Sequence, residues 1–133
     1  MFKENNGILM KRQDLFVQVP VPFICNPVIS DSEKVLYLYF WTYGISDKRG
    51  AYPSTQRITT DLGWSKPKLL RTLKSLEEKG GIYVINRILK GKKEKTSNLY
   101  YISEIIDGNF DNKGLEIVKK LYPNKLDTNA TKY

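Results

Sequence analysis

The sequence predicts an α+β domain, mainly α, in which two short helices meet at a tight turn. A two- to three-stranded hairpin sheet follows them, and an additional helix lies near the C-terminus. Three observations predict this. Ser54 and Ser65 each stand ahead of a run with apolar residues at helical spacing, and Gly63 separates the two runs. Two stretches rich in β-branched and aromatic residues, Ile82 to Leu89 and Asn98 to Ile102, flank a basic, Gly-containing loop. Leu115, Val118, Leu121 and Tyr122 recur at helical spacing until Pro123.

In chain order, Met1 to Asp14 has no clear period and reads as part of an N-terminal arm over residues 1–15. Phe16 to Val19 is expected as a short strand, stopped by Pro20 and Pro22. Cys25 reads as a small core filler rather than a nucleophile. Ser30-Asp31-Ser32-Glu33 is a capping box, with acids where the helix dipole favours them. The helix it opens holds Val35, Leu36, Leu38, Tyr39, Phe40, Trp41 and Tyr43, apolar over most of its circumference. It is expected mainly as core, with a face offered to a partner chain as the alternative. Gly44 and Ser46 to Gly50 end it, and Lys48 and Arg49 read as solvated loop.

Pro53 keeps the chain extended before Ser54, whose hydroxyl can cap the next helix. Ile58 and Leu62 share a face four residues apart, and Gly63 suits the left-handed conformation that ends a helix. Ser65 is the second cap, with Pro67 in the first turn where its missing N–H costs nothing. Leu69, Leu70, Leu73 and Leu76 form the stripe to bury, while Lys66, Lys68, Arg71, Thr72, Lys74 and Ser75 point elsewhere. Such a face can reach base edges in a major groove; the alternative is a solvated charged face.

Gly80-Gly81 leads into the hairpin, whose tip holds Lys90, Lys92, Lys93 and Lys95 against one acid, Glu94, and suits a phosphate backbone. Asp107-Gly108-Asn109 signals a turn, the amphipathic helix follows, and Leu126 to Tyr133 is polar and expected to fray.

Tyr52-Pro53-Ser54, Leu62-Gly63-x-Ser65, Arg71-x-Leu73-x-x-Leu76-Glu77-Glu78-Lys79-Gly80-x-Ile82 and Ser97-Asn98-x-Tyr100 resemble the winged helix-turn-helix domains of plasmid and phage replication proteins and related regulators. The likeness spans about Phe16 to Ile102. It implies a winged domain over residues 16–103, with the C-terminal helix and polar tail over 104–133, and DNA binding as the function. It also implies that the Phe16 to Val19 strand closes the sheet beside the hairpin. Two departures stand out. Gly81 occupies an ordinarily apolar position and is expected to loosen the helix-to-strand corner, and Thr59-Thr60 replaces Ile-Ala, expected to alter packing between the two helices.

The 133 residues carry a net charge of +8. Between Lys66 and Lys95 ten basic residues face three acids, so +7 of the +8 lies there. Clustering of this kind is the footprint of a polyanion binder. The tip offers no apolar residue for a membrane. With one cysteine and no histidine, disulfides within the chain, Cys/His zinc clusters and His-based triads are excluded. Neither a signal-peptide pattern nor a long apolar run is found, and a lone thiol suits a reducing cytoplasm. Asp61, Glu77 and Glu78 form no catalytic carboxylate pair, so no enzyme, cofactor, metal or small-molecule substrate is expected.

The expected partner is double-stranded DNA, bound by a homodimer on repeats. Lys66, Lys68, Arg71 and Thr72 or Leu70 would face bases, with Lys74 on the same helix. Ser54, Thr55 and Ser65 would donate to phosphates, and Arg87, Lys90, Lys92, Lys93 and Lys95 would add charge from the hairpin. The role expected is replication initiation or DNA transfer on a plasmid or phage-like element. A transcriptional repressor of the same fold, or a protein-interaction winged helix, is the alternative.

Overall fold

Ser30 and Glu33 grip each other across the start of the longest apolar helix: the Ser30 hydroxyl accepts from the Glu33 amide at 3.2 Å, and the Glu33 carboxylate accepts from the Ser30 amide at 2.8 Å. The capping box predicted from the sequence is therefore formed. The computed structural model describes residues 17–43, 50–51, 53–91, 94–111 and 113–130. In chain order these make α1 (Val21–Ile24), α2 (Asp31–Trp41), β1 (Gly50–Ala51), α3 (Thr55–Leu62), α4 (Lys66–Glu78), β2 (Ile82–Leu89), β3 (Lys95–Ile102), β4 (Glu104–Ile106), β5 (Asn109–Asp111), α5 (Lys113–Leu121) and β6 (Leu126–Ala130).

The main sheet has the order β1-β3-β2-β6, with β2 antiparallel to β3 and parallel to β6. Successive side chains of a strand point to opposite faces, so β2 and β3 feed two cores. Ile82, Tyr100 and Ile102 join Leu36, Tyr37 and Phe40 of α2, Ile58 of α3 and Leu69, Leu73 and Leu76 of α4. Tyr83, Ile85 and Leu99 point the other way and are covered by Leu115 and Val118 of α5. The apolar circumference of α2 is thus mostly spent in the first core. The Phe40 ring stacks on Tyr100 at 4.6 Å, and the buried Tyr37 hydroxyl donates to the Ser103 carbonyl at 2.5 Å.

Glu33 also ties α2 to α4. It is 2% exposed, and the Lys79 ammonium donates to it at 2.6 Å. Burial by itself raises the Glu33 pKa, but the bonds from Lys79 and the Ser30 amide outweigh it and hold the carboxyl below its ordinary value. The folded pKa lies below the unfolded one, so this stabilisation is fully present above about pH 4.3 and is lost as the pH falls through the lower folded value. Glu33→Gln is expected to cost about 2 kcal/mol at pH 7. In thermal melts against pH, the gap from wild type should narrow towards pH 3; a constant gap would refute the assignment.

Several expectations change. Val17 to Val19 form no strand; Pro20 caps α1 and Pro22 sits in its first turn, where a fixed φ favours a helical turn. The edge strand beside β3 is instead Gly50–Ala51. Cys25 is exposed at the C-cap of α1 rather than in the core. Leu126–Ala130 does not fray but pairs with β2 as β6, and the Asn86 amide donates to the Lys125 carbonyl at 2.8 Å just ahead of it. Backbone pairing needs no apolar pattern, so a polar segment can fill a sheet edge. Leu121, expected on the buried stripe of the last helix, is exposed.

The Asp107-Gly108-Asn109 signal is a hairpin turn between β4 and β5, with positive φ at both Asp107 (54°) and Gly108 (82°) as a type I′ turn requires. It docks just beyond α1 through Asn26, whose side-chain amide donates to the Gly108 carbonyl at 3.0 Å. Phe110 of β5 packs on Tyr37 and Phe23, with ring centroids 5.0 and 5.8 Å away.

Gly81 tightens the corner it was expected to loosen. A Cβ there would lie 2.5 Å from Leu76 Cδ1 and 3.0 Å from Phe110 Cζ. Its amide donates to the Leu76 carbonyl at 2.9 Å, and its carbonyl accepts from the amide and hydroxyl of Ser103, both at 3.0 Å. At the other departure, Thr59 turns its hydroxyl onto the Gln56 carbonyl at 3.0 Å, and Thr60 is exposed. The expected arm, Phe16, Lys48, Arg49, Lys92, Lys93 and the tail beyond Ala130 lie outside the described residues.

Candidate nucleic-acid interface

Two serine caps and one left-handed glycine set the angle between α3 and α4. The Ser54 hydroxyl accepts from the Arg57 amide at 3.1 Å and the Ser65 hydroxyl from the Lys68 amide at 3.3 Å. Gly63, at φ 68°, ends α3, and the Trp64 amide closes the turn on the Thr59 carbonyl at 3.1 Å. Both capping side chains are exposed. Each hydroxyl accepts from its helix and retains a hydrogen to donate outward. Thr55, the first residue of α3, is half-buried beside them.

The α4 helix divides cleanly. Leu69, Thr72, Leu73 and Leu76 are buried; Lys66, Leu70, Arg71 and Lys74 are exposed. Lys68 is half-buried, its ammonium 4.8 Å from the centroid of the Trp64 ring. That contact draws the charge back against the turn between the helices.

Two expected site residues are corrected. Thr72 is 5% exposed, and its hydroxyl donates to the Lys68 carbonyl at 2.8 Å. It lies between Leu69, Leu73 and Leu76 on the helix and satisfies its hydroxyl by back-bonding to its own backbone. Arg87 is 4% exposed, and its guanidinium donates to the Ser97 carbonyl at 3.3 Å. Ile85, Arg87 and Leu89 alternate inwards along β2, so the strand period turns this arginine in. The register sets it opposite Thr96 on one side and Asp127 on the other.

At the hairpin tip, Lys90 and Lys95 are exposed. The Leu89 amide donates to the Glu94 carbonyl at 2.9 Å, and Gly91 has φ 73°. Of the expected site residues, the exposed basic side chains therefore lie in two places, on α4 and flanking the loop between β2 and β3.

Arg57 escaped the sequence reading. It is exposed on α3, and its Nε donates to Asp61 at 3.0 Å. Asp61 accepts from the Tyr39 hydroxyl at 2.7 Å, and that hydroxyl lies 3.0 Å from the one on Tyr43. The bond and charge of Asp61 raise the Arg57 pKa, so the guanidinium stays charged. Burial, then Tyr43 and Asp61, push the Tyr39 phenol well up. The four-residue spacing of Arg57 and Asp61 was the available signal.

A family described as "Helix-turn-helix domain" matches residues 28–82, from ahead of α2 to the first residue of β2. That segment contains α3, the turn at Gly63 and α4, and the match supports DNA as a partner. No curated protein and no solved structure matches the chain. Among the described residues, no helix is long and apolar enough to cross a membrane.

Proposed function

We propose that the chain recognises a specific sequence of double-stranded DNA by laying α4 in the major groove. One observation carries this reading: the second helix of a helix-turn-helix exposes Lys66, Arg71 and Lys74 while burying Leu69, Leu73 and Leu76. The first helix of such a pair crosses the phosphate backbone while the second reads base edges. Ser54, Thr55, Ser65 and Arg57 then donate to phosphates and set the register. Lys90 and Lys95 add contacts from the hairpin, acting as the wing of a winged helix-turn-helix. Arg71 matches the O6/N7 pair of guanine.

A single domain spans too few base pairs to select a site within a genome, so the working form is a homodimer on repeats. The proposed role is replication initiation or DNA transfer on a plasmid or phage-like element, in the cytoplasm and without enzymatic activity.

Selection of bound sequences from a random duplex library tests the function, followed by titration of the enriched duplex against scrambled DNA at two salt concentrations. A preference of about a thousandfold or more is expected. Direct repeats support an initiator and an inverted repeat a repressor. Arg71→Ala should lose about 1–3 kcal/mol, concentrated at one base pair. Equal, weak, salt-sensitive binding to every duplex would overturn sequence recognition.

A further inference from the structure

We infer that Leu70 reads a 5-methyl group in the major groove, that of a thymine, and so is a specificity-determining residue of α4. The inference rests on the DNA-binding reading above. Three of the four leucines of α4 are buried, whereas Leu70 is 48% exposed. Thr72, the other α4 side chain with a methyl group, is buried and spends its hydroxyl on Lys68. Leu70 and the ring of Pro67, one turn earlier, are therefore the exposed apolar side chains of this helix, and of the two Leu70 is the one that carries methyl groups and sits amid the cations.

Helical spacing sets Leu70 one turn after Lys66 and one turn before Lys74, with Arg71 beside it. A lone exposed leucine is ordinary. One bracketed by cations has a restricted choice of partner. A protein covering it would have to desolvate Lys66, Arg71 and Lys74 and supply a carboxylate for each. A duplex supplies phosphates on both sides of a groove whose floor can carry a methyl group. Leucine has no donor or acceptor, so it cannot tell one polar base edge from another. The thymine methyl is the apolar group that the four base pairs present there. A methylated cytosine offers the same group.

The test takes the duplex enriched from the random library and replaces its thymines with deoxyuridine one at a time, removing only the methyl. Wild type is expected to lose roughly fourfold in affinity at one position per half-site, the worth of one methyl-sized contact. Leu70→Ala is expected to bind the thymine and deoxyuridine duplexes equally at that position, with an unchanged salt slope. A second selection, from a library carrying 5-methylcytosine for cytosine, separates the two sources. Thymine retained at that position assigns the methyl to thymine, and a switch to methylated cytosine assigns it to that base.

Indifference of wild type to every deoxyuridine, with sequence preference intact, overturns the inference and leaves the DNA reading standing. So does full discrimination by Leu70→Ala. Failure to enrich any duplex removes the DNA reading itself and this inference with it.

Discussion

Leu73→Asp is expected to leave no cooperatively folded domain. Leu73 is 8% exposed and packs within the core that joins α2, α3, α4 and the first face of the sheet. Losing a buried leucine costs about 2–5 kcal/mol through lost transfer energy and residual cavity. Inserting a carboxylate without a partner adds several more, unless the group takes up a proton. Together these are comparable to the roughly 5–15 kcal/mol that hold an ordinary domain together. Thermal melting by circular dichroism should show no transition for Leu73→Asp. Lys74→Asp, one residue along on the exposed face, should stay within about 0.5 kcal/mol of wild type. A normal melt for Leu73→Asp would mean that the helix faces are assigned wrongly.

Gly108→Ala has the next largest expected effect. At φ 82° the backbone is in the left-handed region, where any side chain is strained. A Cβ would also lie 2.7 Å from the Pro22 carbonyl oxygen, 2.8 Å from its carbonyl carbon and 2.9 Å from its Cβ. The obstacle is mainly backbone of α1, which cannot rotate aside as a flexible side chain can. Either the β4–β5 hairpin lifts off, losing the Asn26 bond and loosening Phe110 over Tyr37, or the turn distorts. A loss of about 2–4 kcal/mol is expected from strain and overpacking together. Gly114→Ala is the control, because nothing lies within 4 Å of a Cβ there and the residue is helical, so stability should hold or rise slightly. Equal melting temperatures for the two variants would disprove the close approach.

What could be read before folding was local chemistry. Ser30, Ser54 and Ser65 cap helices because a hydroxyl next to free backbone amides acts within a few residues, and all three caps are formed as expected. Gly63 and the Asp107-Gly108-Asn109 turn are equally local, since their φ values depend on residue type. The stripe of α4 was readable from the helical period, but its edges were not. Leu70 and Thr72 exchanged places because the width of the buried face depends on what packs against it, so a leucine was left outside and a threonine drawn in.

The Arg57–Asp61 pair is legible from its four-residue spacing, but that Asp61 also accepts from Tyr39 of α2, 22 residues earlier in the chain, is not. Charge alone does not say which face of a strand a residue takes, and the two-residue period of β2 turns Arg87 inward.

The sequence by itself determined where the helices of the helix-turn-helix begin and end, and that the second of them and the hairpin after it are strongly basic. Both are consequences of near neighbours along the chain. The tertiary structure decided that polar Leu126–Ala130 becomes a parallel edge strand, that α5 seals the second face of the sheet, and that Leu76 and Phe110 close in on the space a Cβ of Gly81 would take. Each of these depends on groups brought together from distant parts of the chain. A free strand edge, an uncovered apolar face and a leucine 2.5 Å from a missing Cβ leave no mark on the residues next to them in sequence.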